Sequence, residues 1–208
     1  MLQARSYQIK AINQIQLNKT NLLILPQRSG KSFIMELAID TYQFKRVLIL
    51  VGYRKIVKQL SSYYEGRFTY ILAGESYDHS KQVHIASHQT FANRDIPIDQ
   101  YDCIIIDEFH SRQSQVVYDI VNQPGATKLL FTGTPLTNSN KLITKGIDNF
   151  IQPTTVRDLL DNSWLAPTRF MSNSTILGDY ADQLSTNKQD FDESIVRQII
   201  QKEHLLNN

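Results

Sequence analysis

The sequence has few of the features that mark secreted or membrane proteins. Cys103 is the only cysteine among 208 residues, so no disulfide can form within the chain. No apolar stretch approaches the roughly 18 residues that a membrane-spanning helix needs, and residues 1–5 lack the charge-then-apolar order of a signal peptide. We therefore expect a soluble, cytoplasmic protein, or one of the host cytoplasm if its source is viral, without a membrane partner.

The chain also lacks a strong excess of either charge, internal repeats and low-complexity segments. Its 22 basic and 20 acidic residues leave a formal net charge of +2, so contact with nucleic acid would depend on a local basic strip. The hydrophobic fraction of 41% is enough for a core. The length fits one sizeable domain, or one domain with a tail.

The chain is organised around residues 22–32, an apolar run that breaks at Pro26 and ends in Gly-Lys-Ser. This pattern predicts a buried strand that leads into a phosphate-binding loop. In such a loop, glycine lets the backbone approach phosphate, lysine reaches the terminal phosphates and the hydroxyl ligates Mg²⁺. The helix predicted after the loop would direct its N-terminus at the anion. The predicted nucleotide-binding residues of this loop are Gln27, Arg28, Ser29, Gly30, Lys31 and Ser32.

An acidic pair, Asp107-Glu108, follows the most apolar of the predicted strands. In nucleotide hydrolysis, one carboxylate stays ionised beside Mg²⁺ while the next accepts a proton from the attacking water. We assign the metal to Asp107 and Ser32, the water to Glu108 and the phosphates to Lys31. An acidic pair after a strand is most often a solvated turn, so the assignment depends on the pair and the loop occurring together.

Apolar strands alternate with helical segments along most of the chain. In the first helix, Ile9, Ile12 and Ile15 are expected on one apolar face. Polar residues at the C-terminal ends of the strands predict an open, mainly parallel α/β sheet flanked by helices, with its site along that edge. The predicted strands cover residues 22–25, 47–51, 68–72, 83–87, 101–107, 128–131 and a stretch near 170, and the predicted helices cover residues 5–17, 33–38, 54–64, 115–121, 156–162 and 190–206.

Six stretches follow one another along the chain, at Arg5-Ser6-Tyr7-Gln8, residues 25–32, 52–60, 86–90, Asp107-Glu108-Phe109-His110 and Thr132-Gly133-Thr134-Pro135. In this order they resemble the adenine-recognition element, motif I, motif Ia, the threonine-and-glutamine motif, motif II and motif III of the first motor domain of superfamily 2 helicases and translocases with a DEAD/DEAH-like motif II. The phage and restriction-subunit members are the most similar. The chain departs from the family at Gln27 and Arg28, where threonine and glycine are usual.

The resemblance implies a RecA-like P-loop NTPase domain over residues 1–170. Residues 171–208 would be a linker and helix that lead to a second motor domain, which is absent here. Gln8, with Arg5, is implied to select the adenine of ATP. His110, Thr132 and Thr134 are implied to couple the nucleotide to nucleic acid, and the residues implied to contact the nucleic-acid backbone are Arg54, Lys55, Ser87 and Gln89.

Three function classes stay open on these residues. The leading one is an ATP-driven nucleic-acid motor that uses ATP and Mg²⁺, with DNA favoured by the resemblance, and with hydrolysis weak or absent in the isolated chain. A P-loop phosphotransferase acting on a small molecule would use Lys31 and Asp107 but leaves Gln8 and His110 unexplained. A nucleotide-dependent nucleic-acid-binding module that has lost hydrolysis is kept open by Arg28.

Other conspicuous side chains receive structural interpretations. The three histidines His79, His84 and His88 lack the cysteines and the spacing of a zinc site, so no metal besides Mg²⁺ is expected. Trp164 is interpreted as core packing, since a lone tryptophan has a large apolar surface to bury.

Overall fold

A seven-stranded sheet forms the centre of the structure, a computed structural model that describes residues 3–52, 64, 66–72, 74–94, 96–111, 115–135 and 143–166. The strands, in chain order, are β1 (Thr20–Ile24), β2 (Val47–Val51), β3 (Phe68–Ile71), β4 (Val83–Ser87), β5 (Cys103–Ile106), β6 (Thr127–Thr132) and β7 (Asn149–Ile151). The helices are α1 (Ser6–Asn13), α2 (Lys31–Tyr42), α3 (His88–Ala92), α4 (Gln115–Asn122) and α5 (Val156–Asp161). Short 3-10 turns lie at Ile98–Gln100 and Phe109–Ser111.

All neighbouring strands of the sheet are parallel, in the order β3-β4-β2-β5-β6-β1-β7. The predicted α/β class with a mainly parallel sheet is therefore confirmed. In this order β6 lies between β1 and β5, and β2 lies between β4 and β5. The carboxyl ends of parallel strands meet at one edge, so residues that follow β1, β5 and β6 come together there.

The sheet is buried on both faces because its central strands are continuous apolar runs. Every residue of β2 and β5 is buried. One face packs against α1 and α2, and the other packs against α3 and α4. This arrangement fits the sequence prediction that the strand at 47–51 is covered on both sides.

Helix α1 is shorter than predicted, and its buried face differs from the predicted one. The side chain of Ile9 is 48% exposed, while Tyr7, Gln8, Ala11 and Ile12 are buried. At about 100° per residue, these four residues form one stripe and Ile9 lies outside it. The spacing of three between isoleucines suggested a face, but the burial of Tyr7 and Ala11 decides which side meets the core.

The edge strand β7 was not predicted from the sequence, because it is three residues long and Phe150 within it is 46% exposed. A buried asparagine helps to hold it. The amide nitrogen of Asn21 donates to the carbonyls of Gln16 at 2.9 Å and Lys19 at 3.0 Å, and its Oδ1 accepts from Asn149 Nδ2 at 2.9 Å. Asn21 thereby ties the connection between α1 and β1 to the neighbouring edge strand.

His84 is buried and forms a hydrogen bond within the core. Its Nδ1 lies 2.7 Å from the hydroxyl of Tyr101, and its ring meets that of Tyr77 edge to face. Burial, followed by the positive charge of Arg46, lowers the pKa of His84 to about 4. The imidazole is therefore neutral at pH 7 and serves as a polar core residue.

Some predictions fall outside the described residues. These are most of the helix at 54–64, the strand near 170, the helix at 190–206, and the side chains of Arg54 and Lys55. The described residues all belong to one compact unit, Met1–Ala166. In that part of the chain, no helix is both long and apolar enough to cross a membrane.

Candidate active site

Three strand ends converge at one edge of the sheet. The N–H of Leu25 donates to the carbonyl of Thr132 at 2.9 Å, which joins the chain after β1 to the end of β6. The N–H of Asp107, directly after β5, donates to the carbonyl of Leu50 at 2.9 Å. Strand β6 is the neighbour of both β1 and β5. The phosphate loop (residues 25–32), the acidic pair and Thr132 therefore lie close together at this edge.

The phosphate loop leads directly into the N-terminus of helix α2. Gly30, with a φ of +77°, precedes the 12-residue helix α2. A Cβ at this position would lie 2.9 Å from Gln8 Nε2, so both the backbone conformation and the close neighbour favour glycine. Within the described part of the chain, the N–H groups of Gly30, Lys31 and Ser32 have no protein acceptor. Free N–H groups at a helix N-terminus attract an anion.

Lys31 forms an ion pair with Glu108. The distance from its Nζ to Glu108 Oε1 is 2.8 Å, and the two side chains are 11% and 36% exposed. Glu108 adopts a positive φ of +50°, a conformation that costs a non-glycine residue energy and concentrates at functional sites. Lys31 would exchange this carboxylate for phosphate when an anion binds at the loop.

Asp107 has a buried carboxylate oxygen, Oδ1. Its Oδ1 makes no hydrogen bond with any described residue. Burial, and then the negative charge of Glu108, raise the pKa of Asp107, while Lys31 opposes them. An unpaired buried carboxylate oxygen fits a bound cation. Mg²⁺ is usually bound through one or two carboxylates and keeps waters and substrate phosphate oxygens as its other ligands.

His110 is connected to the end of β6. Its Nδ1 lies 2.9 Å from Thr132 Oγ1 and 3.4 Å from Glu108 Oε2. The hydroxyl of Thr132 donates its single proton to the carbonyl of Thr134 at 2.7 Å, so the proton shared with His110 must come from Nδ1. The structure thus brings the coupling residues predicted from the sequence, His110, Thr132 and Thr134, next to Glu108 of the acidic pair.

Gln8 lies beside the phosphate loop and is only 5% exposed. Its Oε1 accepts from the N–H of Arg5 at 2.9 Å, and its Nε2 lies 3.4 Å from the carbonyl of Ser29. The alternative that Gln8 is merely an exposed residue at a helix start is therefore excluded. One amide proton and one lone pair remain for another partner. Adenine selection by Gln8 and Arg5 stays a prediction.

Two of the residues predicted to contact nucleic acid, Ser87 and Gln89, lie at and just after the carboxyl end of β4. Ser87 ends β4, is 6% exposed and accepts a hydrogen bond from the N–H of Thr90 at 3.1 Å, so its side chain caps α3. Gln89 is exposed on the first turn of α3. Their contact with nucleic acid stays a prediction.

Arg28 occupies the loop position at which the family usually has glycine. It has a φ of +62°, its side chain is exposed, and it makes no hydrogen bond or ion pair with the described residues. A left-handed conformation costs a non-glycine residue roughly 1–2 kcal/mol.

Arg28→Gly should raise the free energy of unfolding by about 0.5–1 kcal/mol. Glycine adopts a positive φ without steric strain, and this gain outweighs the larger conformational entropy that glycine loses on folding. Arg28→Ala is the matched control, since it removes the same side chain but keeps the unfavourable φ. Urea titrations of the three proteins measure the difference. If glycine is no more stable than alanine at this position, the loop has another conformation.

The sequence interpretation named Gly133 and Tyr7 within motifs but gave neither of them a role at this edge. A Cβ at Gly133 would lie 3.7 Å from Lys31 Nζ and 3.6 Å from the carbonyl of Leu25, so the chain after β6 packs on the loop lysine. Tyr7 donates its hydroxyl proton to the carbonyl of Ser29 at 2.5 Å. The position of Tyr7 next to Gln8 was the available signal, but the partner lies 22 residues away in the sequence.

Comparisons with known proteins give one family. Residues 1–137 match the family described as type III restriction enzyme, res subunit. No curated protein sequence matches the chain. Among solved structures, the UvsW helicase from bacteriophage T4 is 18% identical, with a TM-score of 0.60 over 73% of this chain and 61% of its own.

Two further structures share the fold. The Pyrococcus furiosus Hef helicase domain is 17% identical, with a TM-score of 0.64 over 99% of this chain and 55% of its own. A nuclease-deletion mutant of the Type ISP restriction-modification enzyme LlaGI, in complex with a DNA substrate mimic, is 15% identical, with a TM-score of 0.60 over 90% of this chain and 23% of its own. The RecA-like fold is thus confirmed, and the chain spans less than two thirds of the length of each structure.

Proposed function

The chain belongs to the family of type III restriction enzyme res subunits, and from that premise we propose that it is the ATP-binding motor domain of a DNA helicase or translocase. Membership confirms its resemblance to the first motor domain of superfamily 2 enzymes of the phage and restriction type. Hydrolysis of ATP would drive movement of the whole protein along nucleic acid.

One observation carries the proposal. Lys31 and Glu108 form an ion pair at 2.8 Å, and His110 contacts both Glu108 and Thr132, so the candidate phosphate, water and coupling groups are in direct contact. A small-molecule phosphotransferase would need the lysine and a carboxylate. It would give no reason for a histidine that bridges the catalytic carboxylate to Thr132 at the end of β6.

Each group has a role in this proposal. The N–H groups of Gly30, Lys31 and Ser32 and the ammonium of Lys31 bind phosphate, and Gln8 with Arg5 selects the base. Asp107 and Ser32 would hold Mg²⁺, which neutralises phosphate charge when bound. Glu108 accepts a proton from the attacking water once Lys31 has turned to the nucleotide.

Nucleic acid would cross the same edge of the sheet on the side of β4 and β2. Gln89 is exposed on the first turn of α3, just after β4, and Ser87, Arg54 and Lys55 would complete this track. Backbone contacts of this kind carry little sequence information and weaken as salt rises. DNA is favoured because the LlaGI structure contains a DNA substrate mimic.

The domain division is also part of the proposal. Residues 1–170 would form the motor domain and residues 171–208 would lead to a second motor domain. The chain covers 61% of the UvsW structure and 55% of the Hef structure, which leaves room for a further domain in a longer protein. An arginine from such a domain would stabilise charge on the transferring phosphoryl group.

Binding of ATP and DNA to the same chain should be coupled, and this tests the proposal. We expect fluorescently labelled DNA to bind weakly, more tightly at 50 mM than at 200 mM salt, and with an affinity that changes when Mg²⁺ and a non-hydrolysable ATP analogue are added. The same titration with RNA of the same sequence shows which of the two nucleic acids the chain prefers. Nucleotide binding without any effect on either polymer would favour a phosphotransferase.

A further inference from the structure

The carbonyl of Ser29 is held from two sides inside the phosphate loop. Ser29 is fully buried. The hydroxyl of Tyr7 donates to its carbonyl at 2.5 Å, and Gln8 Nε2 lies at 3.4 Å. Because hydrogen bonds weaken with distance, Tyr7 makes the stronger of the two contacts. An oxygen in a phosphate loop is thereby fixed by a side chain that does not belong to the loop.

Fixing this oxygen also fixes the next backbone donor. The peptide between Ser29 and Gly30 is trans and planar, so the N–H of Gly30 points away from the carbonyl of Ser29. This N–H has no protein acceptor among the described residues. Rotation of the peptide would turn it from the anion site. The hydroxyl of Tyr7 therefore sets the direction of a donor that it does not touch.

Tyr7 is itself held by two neighbours. Its ring packs against that of Trp164, with centroids 5.2 Å apart and an interplanar angle of 45°. Arg5 lies with its guanidinium carbon 5.6 Å from the centroid of the Trp164 ring, and its Nη1 is 3.5 Å from the hydroxyl of Tyr7. The hydroxyl can accept from Arg5 while it donates to Ser29. Only 4% of Tyr7 is exposed, which limits its alternative orientations.

We propose that Tyr7 is a positioning residue for the phosphate loop and that Trp164 keeps it in place. The inference rests on the proposed nucleotide site. It adds that a residue outside the loop prepares the N–H of Gly30 for phosphate. Trp164 then has a role beyond core packing, since the segment after α5 supports the loop through Tyr7.

Tyr7→Phe removes one hydroxyl and keeps the ring against Trp164. The affinity for ADP and that for inorganic triphosphate should both fall by about tenfold, the effect of one net hydrogen bond. The two losses should be equal because the affected contact is with phosphate. Calorimetric titration of both ligands in the presence of Mg²⁺ measures them. Tyr42→Phe is the matched control, because its hydroxyl donates to the carbonyl of Ile12 at 2.7 Å near the other end of α2.

Trp164 variants test the support for Tyr7. Trp164→Leu should lower both affinities in the same ratio, and Trp164→Phe should restore most of the loss by replacing the aromatic contact. Wild-type protein that binds neither ligand would refute the nucleotide site itself. Wild-type binding that Tyr7→Phe leaves unchanged would refute only the positioning role. A loss confined to ADP would also refute it, because Tyr7 would then act on the base.

Discussion

Lys31→Ala should reduce the affinity for ADP and ATP by about 100-fold or more. The ammonium of Lys31 lies at the end of the loop, 2.8 Å from a carboxylate that phosphate would replace. A charge-assisted hydrogen bond to phosphate is among the strong polar contacts of proteins. Its loss would also remove the positive charge opposite Glu108, so that this carboxylate would repel the bound anion more strongly. Calorimetric titration of the variant with Mg²⁺ and ADP measures the effect.

Lys45→Ala is the matched control for this substitution. It removes the same charge from an exposed position just before β2, at the opposite edge of the sheet. The control should bind ADP as the wild type does, which separates a local contact from a change in net charge. Thermal unfolding of both variants checks that the fold persists. Wild-type affinity in Lys31→Ala would contradict the assignment of the loop.

Glu108→Gln should lower the rate of ATP hydrolysis by about 10²–10⁴, the usual effect of removing a general base. Glutamine keeps the shape of the side chain but cannot accept the proton of water. The same change removes the charge that pairs with Lys31, so the affinity for ATP should be equal to or higher than that of the wild type. A loss of turnover with retained binding therefore distinguishes a catalytic carboxylate from a structural one.

Single-turnover hydrolysis with protein in excess over radiolabelled ATP is the suitable measurement. The wild-type rate of these 208 residues is expected to be low, because an arginine from a second domain is typically worth on the order of 10³–10⁵ in rate. Glu75→Gln, which alters an exposed carboxylate in the loop before β4, is the control. Equal turnover in Glu108→Gln and the wild type would show that Glu108 is not the general base.

The central strands were predictable because burial on both faces makes them continuous apolar runs. Residues 47–51 needed no knowledge of their neighbours to be interpreted as a strand. The sequence could not reveal β7, whose three residues are joined to the sheet through partners such as Asn21. It also misplaced Ile9, since a helix's buried side depends on what packs against it.

The sequence proposes the residues of the site, but it could not give the contacts between them. Lys31 and Asp107 follow separate strands, and only the order of β1, β6 and β5 brings them together. The Lys31 contact with Glu108 spans 77 residues in sequence. The sequence also could not predict the positive φ angles of Arg28 and Glu108. Arginine and glutamate ordinarily avoid that conformation, so their residue types give no sign of it.

The location of a bound nucleotide tests the account most directly. A crystal structure of the chain with Mg²⁺ and ADP should show the phosphates on the N–H groups of Gly30, Lys31 and Ser32. The metal should lie beside Asp107 and Ser32, and Lys31 should have left Glu108 for phosphate. Nucleotide bound elsewhere, or phosphates at the loop while Lys31 still pairs with Glu108, would contradict the proposed site.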